Sequence, residues 1–267
     1  MAWTMTPATP RLTEAEIIAA LRAAGCVFAE DEAALLVAES ASARELADRV
    51  RRRVAGEPLE VILGWAEFAG VRVAIEPDVF VPRRRTEYLV RRARRLATAD
   101  SVVVDLCCGS GALGLALATA VPGIHLYAAD IEPAAVACAR LNLRGLGEVF
   151  EGDLFAPLPP ELRGRVDLLL VNAPYVPTAE IAGMPSEARD HEPLVTLDGG
   201  ADGLDVHRRI APEAARWLSE GGTILIETSE RQASTAAGIL ENVGLEPSIA
   251  HSTKRGATVV LGCRPLN

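Results

Sequence analysis

Apolar residues recur at helical spacing over the first fifth of the chain, then alternate, then gather into short unbroken runs separated by helical segments. Thr13 with Glu16 predicts a capping box, followed by Ile17, Ile18 and Leu21 on one helical face and ended by Gly25. Asp31 is placed to cap a second helix carrying Leu35, Leu36 and Val37, and Leu46 and Val50 continue the pattern toward Gly56 and Pro58. Val71, Val73 and Ile75 then alternate with Arg72 and Ala74. Glu76-Pro77-Asp78 turns the chain and Val79-Phe80-Val81 returns it, which predicts a hairpin. From Ser101 onward strands alternate with helices. The runs Val102–Val104, Leu126–Ala129, Glu148–Phe150, Val166–Val171 and Thr223–Glu227 predict a parallel sheet, with helices over Ala112–Thr119 and Ala134–Leu141. Segments 246–251 and 257–262, joined by Lys254-Arg255-Gly256, add an antiparallel hairpin at the C-terminal end. The expected fold class is therefore α/β, with a helical domain over 1–65, a linking hairpin over 66–82 and the sheet domain over 83–267.

Composition changes this picture little. The chain has 267 residues, 49% hydrophobic and 24% charged, which is ample material for a buried core. Its net charge of −9 argues against non-specific nucleic-acid binding by the whole surface. The five cysteines form no Cys-x-x-Cys pair and lie near no histidine cluster, so no metal site is expected and the thiols read as reduced. No signal peptide or membrane-length apolar run is evident, and a cytoplasmic, monomeric protein is expected.

The chemistry concentrates at two strand ends. After Val102–Val104 comes Asp105-Leu106-Cys107-Cys108-Gly109-Ser110-Gly111, a glycine turn, and about twenty positions later Asp130 closes the next strand. Gly109 and Gly111 allow close approach of backbone to a ligand, and Asp130 can accept two ribose hydroxyls. NAD and S-adenosylmethionine share that adenosine. Asp105, just before the turn, would repel a pyrophosphate but favours a cationic amino and sulfonium group, which selects S-adenosylmethionine. Asp153 falls at the third strand end, where an adenine amine would lie. The alternative for Asp130 is a plain helix cap before Pro133.

The second strand end is Asn172-Ala173-Pro174-Tyr175. The Asn172 amide carries acceptor and donors, Pro174 restrains Ala173 so that its carbonyl points outward, and Tyr175 offers a ring. Two adjacent acceptors suit a planar NH2 group, either an amide or an exocyclic base amine; the plainer alternative is a simple turn.

Taken together, these residues resemble the class I methyltransferases and, within them, the protein-glutamine methyltransferases that modify peptide-chain release factors (the HemK/PrmC family). The similarity also covers Glu57-Pro58-Leu59-Glu60-Val61-Ile62-Leu63-Gly64, Phe68-Ala69-Gly70, Val81-Pro82-Arg83, Thr86-Glu87, Glu192-Pro193 and Gly199-Gly200. It implies a Rossmann-like domain binding S-adenosylmethionine through Asp105, Cys107, Cys108, Gly109, Ser110, Gly111, Asp130, Asp153, Leu154 and Asn172. It also implies that Asn172, Ala173, Pro174 and Tyr175 hold the substrate amide. A release factor or related translation protein is the expected partner, docking on the helical domain, with no membrane and no direct nucleic acid involved. The chain departs from the family pattern at Ala173, where a first proline is usual, and at Cys107, where the first glycine of the turn is usual.

Other functions compatible with the residues are adenine amino-methylation of nucleic acid and a non-catalytic cofactor-binding role. Few aromatics and a negative net charge weigh against a flipped-base channel. Arg83, Arg84, Arg85, Arg91, Arg92, Arg94 and Arg95 read as a solvated face. The long connection from Pro177 to about Val206, with Gly199, Gly200 and Gly203, reads as a mobile cover over the substrate, its base shaped by Glu192 and Pro193.

Overall fold

The structure is a computed structural model and describes residues 12–266. They fall into two units, one ending at Gly64 and the other beginning at Trp65. The first contains α1 (Glu14–Ala23), α2 (Ala29–Glu39), α3 (Ala43–Val54) and α4 (Leu59–Leu63). Thr13 caps α1 in the predicted box, its hydroxyl accepting from the Glu16 N–H while its own N–H donates to the Glu16 carboxylate at 2.8 Å. Ile17, Leu21, Leu36, Leu46, Val50 and Ile62 meet in a small core. Arg53 is buried beside it and pairs with Glu32 at 2.6 Å, tying α3 to α2. Asp31 does not cap α2, which starts earlier, at Ala29; it lies in the first turn instead, where its charge meets the positive end of the helix.

The second unit opens with an antiparallel hairpin of β1 (Trp65–Phe68) and β2 (Val71–Ala74). The expected hairpin paired β2 with residues 79–81, but the partner strand precedes β2 rather than following it. Ala69 and Gly70, both at positive φ (51° and 83°), make the tight two-residue turn that antiparallel twist favours. Pro77 has no N–H to give a ladder, and Val79 and Val81 are simply buried. The hairpin thus belongs to the sheet-bearing unit and is no free linker.

After α5 (Glu87–Ala93) the chain alternates β3 (Val102–Leu106), α6 (Ala112–Ala120), β4 (His125–Asp130), α7 (Pro133–Asn142), β5 (Gly147–Glu151) and β6 (Val166–Val171). The short α8 (Ser186–Arg189) precedes α9 (Asp205–Trp217), β7 (Leu218–Thr228), α10 (Ala233–Glu241), β8 (Glu246–Ser252) and β9 (Ala257–Cys263). The seven strands run in the order β5-β4-β3-β6-β7-β9-β8. The first five are parallel, and β9 enters antiparallel between β7 and β8, as the C-terminal pattern predicts. Leu169, Val171, Ile210, Ala214, Ile224 and Ile226 fill the core on one face, with Phe155 stacked on Trp217 at 5.4 Å between ring centroids.

Strand order decides where a ligand can sit. β3, β4 and β5 build outward in one direction, whereas β6 is laid on the other side of β3. The connections leaving β3 and β6 therefore diverge and open a crevice beyond their carboxyl ends. Leu106 lies opposite Val171 in the ladder, so the glycine turn and Asn172 leave the sheet side by side.

Candidate active site

A cavity occupies this crevice, wholly within the second unit. It gathers most of the residues singled out by sequence. Cys107, Cys108, Gly109, Ser110, Asp130, Asp153, Leu154, Asn172, Ala173, Pro174 and Tyr175 all line it, although they come from four different strand ends.

The glycine turn is held by its neighbours. Asp130 Oδ2 accepts from the Gly109 N–H at 2.8 Å and Oδ1 accepts from the Glu132 N–H at 3.0 Å. One carboxylate therefore fixes both the turn after β3 and the entry to α7. The bond from Glu132 N–H suits the reading of Asp130 as a helix cap before Pro133, and the residue also lines the cavity. Burial raises its pKa above the usual carboxylate range, and the amide donors oppose that shift. Asn142, on α7, locks the hairpin to the turn: it exchanges two hydrogen bonds with the backbone of Ala74 (2.8 and 2.9 Å) and donates to the Ser110 carbonyl at 2.8 Å. This brings Phe68, on β1, to the cavity wall.

Two expected cofactor residues lie elsewhere. Asp105 is fully buried beneath the turn and does not line the cavity. Its Oδ2 accepts from the Gly114 N–H at 2.9 Å, and burial lifts its pKa to about 8. Any influence on a bound cation acts through the helix it anchors. Gly111 is also outside the cavity wall; it is the left-handed residue that starts α6, where a side chain would press on Leu143 at 3.1 Å.

The Asn172 corner, beside the glycine turn, also lines the cavity. Among the described residues, none hydrogen-bonds to the Asn172 side-chain amide or to the Ala173 carbonyl. Tyr175 is anchored at its hydroxyl, which donates to Glu227 at 3.0 Å, and burial together with that carboxylate pushes the phenol above its ordinary range. Glu227, the last residue but one of β7, also accepts from Arg85 Nε at 3.3 Å.

Sequence reasoning missed Glu227, Arg85, Asn142 and Arg209. The arginines of 83–95 are not all a solvated face. Arg83 pairs with buried Glu192 at 2.5 Å, Arg85 reaches Glu227, and both line the cavity. The signal available was an acidic residue close to the end of an apolar strand, Glu227, much as Asp130 closes β4. Arg209 pairs with Asp153 at the cavity edge.

The connection 177–206 is tied back to the end of β6 by backbone bonds. Val176 bonds to Leu197 and Gly199 through its backbone (3.0 and 2.9 Å), and Thr178 N–H reaches Gly200 at 2.9 Å. A β-carbon on Gly199 would stand 2.5 Å from the Gly203 carbonyl oxygen, and one on Gly200 would stand 1.9 Å from Asp205. These glycines permit close packing. Val195, Thr196 and Leu197 from this segment do line the cavity.

The residues lining the cavity fit S-adenosylmethionine. Asp105 takes the Gly114 N–H at the start of α6, which leaves fewer N–H groups there for a pyrophosphate. Carboxylates at Asp130 and Asp153 and apolar walls from Phe68, Leu113 and Ile131 suit an adenosine joined to a cation.

A seven-stranded sheet of this order with such a cavity at its switch point is that of a class I S-adenosylmethionine-dependent methyltransferase. Residues 83–184 match the family model described as Methyltransferase small domain. A methyltransferase structure from Pyrococcus furiosus superposes with a TM-score of 0.56 at 12% identity, covering 82% of this chain and 100% of that one. The Release factor glutamine methyltransferase of Geobacter sulfurreducens is 38% identical over 218 residues, 80% of this chain and 76% of the relative. A 4-amino-L-phenylalanine/4-methylamino-L-phenylalanine methyltransferase of Streptomyces pristinaespiralis is 37% identical over 203 residues, 73% of this chain and 69% of that one. The chain belongs to the release factor glutamine methyltransferase family.

Proposed function

We propose that the protein transfers a methyl group from S-adenosylmethionine to the side-chain amide nitrogen of a glutamine in a peptide-chain release factor. The observation that carries this reading is the pair of unused polar groups at the end of β6, the Asn172 amide and the Ala173 carbonyl, set in the wall of the cavity. A glutamine NH2 has two N–H bonds, and two fixed acceptors hold both.

S-adenosylmethionine, when bound, supplies an electrophilic methyl on a sulfonium. Asp130 would hold its ribose and the Asp153-Leu154 pair its adenine end, with Gly109 and Ser110 along the chain between. An amide nitrogen is a weak nucleophile because its lone pair is shared with the carbonyl. The acceptors of Asn172 and Ala173 orient it, and holding reactants in line supplies roughly 7–11 kcal/mol of a barrier. The same acceptors strengthen as positive charge grows on the nitrogen. No strong base is required if the proton leaves after transfer. Tyr175 does not serve as one, since its hydroxyl donates to Glu227 and its phenol is held protonated. The helical unit is read as the docking module for the protein substrate.

The relative that methylates 4-amino-L-phenylalanine supports a second substrate class, because an arylamine is also a planar NH2 group. Single-turnover methyl transfer at saturating cofactor, with a release factor and 4-amino-L-phenylalanine as rival acceptors, separates the two. The expected outcome is methylation of the release factor only. Asn172→Ala is expected to lower that rate by about a hundredfold or more while changing cofactor affinity less than tenfold. A fully active Asn172→Ala enzyme overturns the clamp.

A further inference from the structure

Tyr175 lies beyond the last ladder pair of β6, after Pro174, where no sheet register fixes it. Its placement is nevertheless over-determined, and by residues outside the Asn172 corner. At one end, the hydroxyl donates to Glu227 Oε1 at 3.0 Å. At the other, its carbonyl accepts from Gln232 Nε2 at 2.9 Å.

Both brackets are themselves anchored. Glu227 lies one residue from the end of β7, the strand paired with β6, and is 2% exposed. Its Oε1 also accepts from Arg85 Nε at 3.3 Å, while Oε2 is buried without a hydrogen-bond partner. A carboxylate taken this far from water is retained against a desolvation penalty that only fixed partners offset. Gln232 uses its whole amide. Its Nε2 donates to both Tyr175 and Asp202 carbonyls (2.9 and 2.8 Å), and its oxygen accepts from the hydroxyls of Thr228 and Ser229 (3.2 and 2.5 Å). Gly203 lets the bracket close, since a β-carbon there would stand 2.3 Å from both Gln232 Nε2 and the Tyr175 carbonyl oxygen.

We propose that Glu227 and Gln232 are positioning residues for methyl transfer, holding Tyr175 by hydroxyl and carbonyl so that its ring fixes the acceptor NH2 presented to Asn172. This rests on the glutamine-amide reading of the corner. Neither residue lines the cavity, so both act through Tyr175. The hydroxyl's task is to be held, and the ring does the contacting.

A double-mutant cycle tests this, because residues acting as one unit lose their effect only once. Glu227→Leu, which removes the acceptor for the Tyr175 hydroxyl, Tyr175→Phe and the double variant are compared with the unaltered protein. The readouts are single-turnover methyl transfer to a release factor, its KM, and S-adenosylmethionine affinity by calorimetry. Each single variant is expected to slow transfer about tenfold, the low end of what loss of a hydrogen bond to a charged group is worth, with cofactor affinity unchanged within about threefold. The double variant is expected to be no slower than the slower single one. Multiplicative losses approaching a hundredfold would show that Glu227 acts independently of Tyr175 and would overturn the proposal. Gln232→Glu, which keeps the shape but replaces the donor to the Tyr175 carbonyl, gives the second arm: a rate within twofold of the unaltered protein also overturns it. If the unaltered protein methylates no release factor, the functional reading itself falls; if it does and the cycle is multiplicative, only the positioning role falls.

Discussion

The close packing at Gly203 makes a quantitative test of whether the segment 177–206 is a fixed wall or a slack cover. Gly203→Ala places a β-carbon at φ +79°, 2.3 Å from two polar atoms. Left-handed backbone for an L-residue costs about 1–2 kcal/mol, and overpacking a closed site adds about 1–3 kcal/mol. The stiffer unfolded chain returns about 0.4–1 kcal/mol, leaving a net loss near 3 kcal/mol. Gly164→Ala is the internal control. It has nearly the same backbone, φ +72°, but nothing within 4 Å of the added carbon, so only the conformational part remains, about 1 kcal/mol. Urea unfolding of each variant, followed by tryptophan fluorescence, measures both; Trp217 is buried in the sheet-bearing unit and reports on it. Gly203→Ala is expected to be the less stable by about 2 kcal/mol. Equal stabilities within about 0.5 kcal/mol, the scatter of an ordinary surface change, would refute the packing argument and restore the mobile cover.

Two further outcomes follow from the acidic groups. Asp130→Ala removes the acceptor proposed for the ribose and is expected to weaken S-adenosylmethionine binding by about 1.5–3 kcal/mol, a hydrogen bond to a charged group, as read by calorimetry. Asp105 has its pKa raised to about 8 by burial, so between roughly pH 4, the ordinary carboxylate value, and pH 8 the folded state binds a proton that the unfolded state has released. Stability therefore falls as pH rises through that window. Asp105→Asn keeps an acceptor for Gly114 and is expected to flatten the stability–pH curve there; an unchanged slope in thermal melts would show that Asp105 is ionised when folded.

Most of the sheet was legible because a strand buried on both faces can hardly be written other than as an apolar run. Val166–Val171 and the strands ending at Leu106 and Asp130 are such runs, and their polar ends fell where strand ends must. The hairpin was misread because alternation states only which face is buried. It does not say whether Val71–Ala74 pairs forward or back, and that was settled by Ala69-Gly70, a turn with an alanine in a glycine conformation. The arginines were misread for a similar reason. Arg83 and Arg85 find Glu192 and Glu227 more than a hundred positions away, and no local pattern announces a partner at that distance. Gly203 was legible as glycine but not as a contact, since composition cannot separate a hinge from a site with no room for a β-carbon.

Cys107 shows why the cofactor turn could be recognised without its first glycine. It sits at φ +57°, left-handed backbone where glycine would be relaxed, and a β-carbon there costs about 1–2 kcal/mol. The conformation does not depend on residue 107 to maintain it. Cys108 N–H bonds to the Ala129 carbonyl at 3.1 Å, Gly109 N–H to Asp130 at 2.8 Å, and Gly111 N–H to the Cys108 carbonyl at 2.8 Å. With the following residues pinned to β4 and its terminal carboxylate, the neighbours' hydrogen bonds hold the cysteine in the left-handed region. The fingerprint of this site is thus the spacing from strand end to Asp130 and not the glycine at its first position. On the reading we propose for the corner, Ala173 in place of a proline keeps the carbonyl beside Asn172 in the cavity wall, with the strand end and Pro174 together supplying its setting.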